Sequence, residues 1–202
     1  MEFNDAAKNR INTYNWTTKI PTVEEITKLV EGIHSYVPSK QKRVRFKIAV
    51  IPAHSMPELQ FAIYESTYAQ PNSINGRYNP QVLAPWLLAF SPGRGKHSLE
   101  PGLEPGRPDI HTHYEMGLDI GLAAMYTSLA AKNMGMDSGF CGCIQDTVAV
   151  EPIIGSKPSL YIGIGYRDPS KQYHCPIYDK MVDIPGSDAD LKPDKELYIT
   201  YV

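Results

Sequence analysis

EMGLDIGLAAMYTSLAAKNMGMDSGFCGCI, residues 115–144, is the most apolar stretch of the chain and the richest in small side chains. It predicts a buried helix from Met116 to Met134 that runs into a glycine-punctuated loop. The segment has no proline, and Leu118, Leu122, Met125 and Leu129 recur at the spacing of one helix face, which is read as core. A second set with the same period, Gly117, Gly121, Ala124, Ser128, Ala131 and Gly135, forms a stripe of small residues. Two glycines inside a helix cost about 1 kcal/mol each relative to alanine, so something should lie close against that stripe. Both close packing within the chain and a symmetric helix contact in a homodimer satisfy this requirement. Gly135 is placed to end the helix in a left-handed conformation. Gly139 and Gly142 bracket Phe140 and Cys141, where a positive φ or the close approach of a flat ligand would call for glycine.

A chain of 202 residues is expected to form one domain with enough core to need no disulfide or metal. The formal charge of −2, without a long basic run, removes the footprint of a nucleic-acid binder. No apolar run reaches the ~18 residues of a membrane span, and MEFNDAAKNR lacks the hydrophobic centre of a signal peptide. The expectation is a cytoplasmic protein, and three cysteines suit a reducing compartment better than a disulfide framework.

Outward from the central stretch the pattern alternates. A short helix is expected over residues 4–14, and a surface helix over 22–35, with Val23, Ile26, Val30 and Ile33 on its apolar stripe and Glu24 and Glu25 near its positive end. Residues 44–51 (VRFKIAVI), 84–90 (APWLLAF) and 160–164 (LYIGI) read as strands. Residues 56–68 suit a helix, and 147–151 a short strand or a turn. Residues 91–109 form a proline- and glycine-rich segment of lid-like length. It contains GRGKHS, which is no phosphate-binding loop, since Phe90 stands at the first glycine and His97 at the Ser/Thr position. A polar linker leads through the C-terminal extension 179–202 to ELYITYV, a strand without a local partner. Helices interspersed with about four strands, without a regular βαβ repeat, indicate an α+β fold.

Taken in order, Arg10 and Pro21, VPSKQ (37–41), NPQVLAPWLLAF (79–90), the long helix with its CGC loop, and LYIGIGYRDP (160–169) resemble the nitroreductase family. The resemblance implies a central mixed or antiparallel sheet flanked by helices, a long buried helix at a dimer interface, and a C-terminal strand open to exchange between subunits. It implies one FMN in each of two sites at the interface of a homodimer, with hydride passing from NADH or NADPH through flavin N5 to a small organic acceptor, nitroaromatic or quinone-like. The cofactor carries that chemistry, so no catalytic side chain is implied.

Residue by residue, the resemblance places Arg10 at the FMN phosphate, with Asn12 and Thr13 where a serine and a second basic residue are usual. Pro38, Ser39 and Gln41 match the segment that lines the flavin of the other subunit. Asn79 and Gln81 match the polar pair at the pyrimidine edge, where a lysine is commoner; a neutral glutamine stabilises the reduced flavin less and implies a lower potential. Cys141, Gly142 and Cys143 match the loop beside N5, and Lys171 and His174 the final phosphate contacts. Two other readings use the same chain. One is a flavin-binding or structural homodimer without turnover. The other is a metal site built from His111, His113, Cys141, Cys143, His174 and Cys175, whose spacings fit no standard zinc module.

Overall fold

The computed structural model describes residues 3–39, 44–67, 79–93, 110–148 and 150–170. They belong to one unit, Met1–Gln172, and Tyr173–Val202 form a second that lies outside the described residues. The C-terminal strand, Gln41, Lys171, His174, Cys175 and most of the 91–109 segment therefore lie outside the description.

Helix α1 (Phe3–Asn9) is shorter than expected, because residues 10–16 leave the helix to run along the sheet. Helix α2 (Val23–Tyr36) begins with a capping box: Thr22 Oγ1 accepts the Glu25 N–H at 3.2 Å, and a Glu25 carboxylate oxygen accepts the Thr22 N–H at 2.8 Å. Such caps hold a helix end by about 1 kcal/mol. Its inward face is Ile26, Leu29 and Ile33, with Val23 exposed at the first turn. Helix α3 (Pro57–Ser66) and a 3₁₀ turn at Pro80–Leu83 cover the opposite side of the sheet.

The sheet has four antiparallel strands in the order β1 (Phe46–Ile51), β2 (Trp86–Pro92), β4 (Leu160–Gly165), β3 (Asp137–Cys141). Because side chains alternate across a strand, Trp86, Leu88, Phe90, Ile162 and Ile164 pack on one face with α2 and α4 (Ile110–Asn133). Leu87, Ala89 and Tyr161 pack on the other with Leu59, Ile63, Val82 and Val150. Both faces of β2 are covered, so its run WLLAFS is buried at every position and reads as continuous rather than alternating. Ser91 and Pro92, expected in the loop, extend this strand.

Two expectations are corrected. The face of α4 read as core is in fact outward, with Leu118 51%, Leu122 39% and Met125 48% exposed. The inward face is Ile120, Ala123, Ala124, Thr127, Ser128 and Ala131. The sheet it meets already carries Trp86, Leu88, Phe90 and Ile162, so small helix residues let the two layers close. The small stripe is thus divided: Ala124, Ser128 and Ala131 meet the core, while a Cβ at Gly117 or Gly121 would have no neighbour within 4 Å.

The second correction is β3, expected as loop. Gly135 (φ 81°) ends α4 in a Schellman motif, with its N–H on the Lys132 carbonyl and that of Met136 on Ala131. The chain then turns straight into the edge strand, and Lys132 Nζ reaches Asp137 Oδ1 at 2.8 Å. The short segment Glu151–Ile154, for which a strand or turn was expected, is a single helical turn, α5.

Packing is tightest where the glycines of β4 meet the 3₁₀ turn. A Cβ on Gly163 would lie 2.1 Å from the Gln81 carbonyl oxygen and 2.7 Å from the Ala84 Cβ. Replacing Gly163 by alanine is expected to destabilise the protein by about 3 kcal/mol or more, since backbone has to move. Urea unfolding measures this, and an unchanged midpoint would contradict the packing.

Candidate functional site

Residues 10–16 lie along the free edge of β3 and close it. Thr13 donates its N–H to the Ser138 carbonyl at 2.9 Å, and the Phe140 N–H reaches Asn12 Oδ1 at 2.6 Å. The Asn12 amide also donates to Tyr14 Oη, so both of its polar ends are engaged within the chain. The segment comes this close because Gly139 has no side chain: a Cβ there would stand 2.2 Å from the Thr13 carbonyl oxygen. Trp16 Nε1 then donates to the Pro80 carbonyl at 3.1 Å, tying the segment to the 3₁₀ turn.

This arrangement gathers one group of the expected residues. Arg10, half-buried just past α1, leads into Asn12 and Thr13 on β3. Gln81 is buried beside Gly139. Asn79 holds the start of its turn by donating an amide N–H to the Thr67 carbonyl at 2.8 Å. Two buried oxygens here, Thr13 Oγ1 and Gln81 Oε1, make no hydrogen bond. At the end of β3, Gly142 and Cys143 are exposed, and the space over the Gly142 Cα is open.

Cys141 differs from its neighbours. Its side chain points into the core against Tyr161, and burial pushes its thiol up to about 12. It is a packing residue in its thiol form at neutral pH.

Pro38 and Ser39 stand elsewhere. They border a cleft of about 580 Å³ on the outer side of α4, with Arg45, Glu115, Leu118 and Asp119. Arg45 precedes β1, and β1 and β3 are the two edges of the sheet. Three strand spacings separate those edges by about 14 Å. One chain therefore presents the Pro38–Ser39 segment and the Gly142 loop at opposite edges.

The cleft contains charged groups that the sequence reading passed over. The Arg45 guanidinium pairs with the Glu115 carboxylate. Asp119, one helical turn on, is 2% exposed and has an oxygen, Oδ2, without a hydrogen-bond partner. Burial raises its carboxyl above the ordinary value, opposed by the Arg45 backbone N–H and charge. A lone carboxylate between Leu118 and Ile120 in an apolar helix was the available signal. Among the described residues no group of three His, Cys, Asp or Glu side chains is placed to hold a metal, and no helix is long and apolar enough to cross a membrane.

No family model and no curated protein matches the sequence. Solved structures do match its architecture. A nitroreductase from Bacteroides fragilis with bound FMN superposes with a TM-score of 0.63 at 17% identity, over 86% of this chain and 92% of that one. This is a nitroreductase fold. A nitroreductase family protein from Clostridium novyi gives 0.61 at 15% identity, covering 85% and 90%. The NADPH:FMN oxidoreductase of Vibrio harveyi complexed with NAD+ gives 0.67 at 14%, covering 85% and 71%. The expected α+β fold is thus the observed one. The strands Val44–Ile51, Ala84–Phe90 and Leu160–Ile164 of the sequence reading lie in its sheet, apart from ends that differ by up to two residues.

The contrast between the cysteines is directly measurable. Iodoacetamide at pH 8 is expected to label Cys143 in the folded protein and leave Cys141 unmodified, with both labelled in urea. Peptide mapping reads each site, and modification of native Cys141 at the rate of Cys143 would contradict its burial.

Proposed function

We propose that the chain is an FMN-dependent oxidoreductase that works as a homodimer, taking hydride from NADH or NADPH to a small organic acceptor of the nitroaromatic or quinone type. The observation that carries this reading is the division of the candidate residues between the two edges of the sheet. A ligand that needs both groups needs two chains. The apolar ridge of α4 supplies a surface for that pairing: Tyr114, Leu118, Leu122 and Met125 are exposed, beside the uncovered Gly117 and Gly121. Each large side chain of this kind gains roughly 1.5–3 kcal/mol on full burial, and the bare glycines let a second helix approach closely.

The residues fit the cofactor. A guanidinium at Arg10 bonds two phosphate oxygens in a planar fork, joined by the backbone near Asn12 and, in this reading, by Lys171 and His174. Gln81, with a buried oxygen that lacks a partner, and Asn79 address the pyrimidine edge. Gly142 and Cys143 offer main chain with open space above it, suited to a flat ring. Pro38, Ser39 and Gln41 come from the other subunit. When bound, FMN supplies two-electron chemistry between a nicotinamide and the acceptor. The protein's part is to bind and orient the ring and to exclude water around it. The solved neighbours with FMN and with NAD+ support the choice of both partners for the reaction.

Two measurements test the proposal. The purified protein is expected to show flavin absorption near ~450 nm that bleaches under NADH or NADPH without oxygen. A colourless protein that takes up no added FMN overturns it, and a yellow one that neither nucleotide reduces supports the dimer without turnover. Leu122→Glu is expected to give a species near the single-chain mass of 22.6 kDa in sedimentation and to lose bound FMN. A monomer that keeps FMN would show that one chain suffices.

A further inference from the structure

The cleft on the outer side of α4 contains a carboxylate that the fold does not use. Asp119 is 2% exposed; it accepts the Arg45 backbone N–H, and its Oδ2 has no partner. Buried polar atoms are nearly always hydrogen-bonded, so an exception asks for an explanation. The neighbouring charges do not provide one, because the Arg45 side chain is paired with Glu115. The three groups together carry one net negative charge, located on Asp119. Around it the cleft is apolar, walled by Tyr114, Leu118 and Leu122, and its volume of about 580 Å³ suits a small organic molecule.

We infer that this cleft binds a small organic cation, a primary ammonium on a flat apolar body, with the ammonium on Asp119 Oδ2 and the body between Tyr114 and the two leucines. A divalent metal does not fit this chemistry, since it needs several oxygen ligands and the Arg45 charge stands beside the only open one. An ammonium needs one strong acceptor and tolerates the apolar walls, and the Tyr114 ring adds an attractive face. The site stands independently of the flavin reading. Pro38 and Ser39 border it, so if FMN lies across that segment the acceptor is an amine-bearing one, and only this last step rests on the flavin.

The test is a titration of the full-length protein, as isolated, with benzylamine and with benzyl alcohol, which has the same shape and no charge. Binding is read from the methyl resonances of ¹³C-labelled leucines. Benzylamine is expected to shift Leu118 and Leu122 and to bind at least about tenfold tighter than the alcohol, a difference of one charge-assisted contact. Asp119→Asn is expected to abolish that preference while leaving the alcohol's affinity unchanged, which shows the cleft intact. Equal affinity for the two compounds, shifts confined to other leucines, or a preference that survives Asp119→Asn each overturns the inference. Should the variant not fold, the amine–alcohol comparison on the wild type decides alone. A colourless protein that binds benzylamine in the cleft would overturn the FMN proposal and leave this one standing, and a yellow protein that does not would do the reverse.

Discussion

The contact on which the candidate site depends is between two stretches of main chain. The Thr13 carbonyl lies against Gly139 so closely that no other residue fits there. Asn12 fixes the same approach from the side by accepting the Phe140 N–H. Without it the edge of β3 would be an open ladder of donors and acceptors, a template for unwanted pairing. With it, the segment that carries Arg10 is delivered to the strand that carries Gly142. The 3₁₀ turn with Gln81 joins them through Trp16 and through the missing side chain of Gly163. Three elements distant in sequence meet because glycine at two strand positions lets backbone replace side chain.

Helix α4 organises the rest by having two different faces. Its inner face is small, so the large residues of β2 and β4 fill the space between layers. Its outer face is large and apolar, with Asp119 and Glu115 at the boundary. An apolar ridge in water is unfavourable in a lone chain, and a buried carboxylate oxygen without a partner is more so. Both features belong to the same few turns of helix, where the Pro38–Ser39 segment also lies. The surface that invites a second copy of the chain and the cleft that invites a cation are therefore parts of one region.

The chemistry read from this arrangement places few demands on individual side chains. A cofactor that brings its own reactivity needs a cradle of main chain, a cation for its phosphate and a polar edge, and the gathered residues are of those kinds. Cys141, which the CGC pattern presents as a candidate ligand, serves instead as core, since desolvation holds its thiol neutral. Cys143, two residues on, is exposed at the strand end. Two identical residues separated by one glycine thus have opposite environments.

What the sequence by itself determined is what short-range periodicity and local chemistry encode. The helical period of residues 115–134, the turn at Gly135, the helix that follows Thr22 and the strands around Ile48, Leu88 and Ile162 were all legible. They depend on spacing, capping and side-chain shape within a few residues. Tertiary structure alone decided which face of α4 is inward, because two apolar faces of equal period differ only in what they meet. It also decided that SGFC is a strand, since glycine's weak preference was overridden by pairing with β4 and cover from residues 12–13. The placement of Asp119 beside Arg45 and Glu115 was likewise beyond the sequence: a single carboxylate reads as a surface residue until packing removes the water from around it.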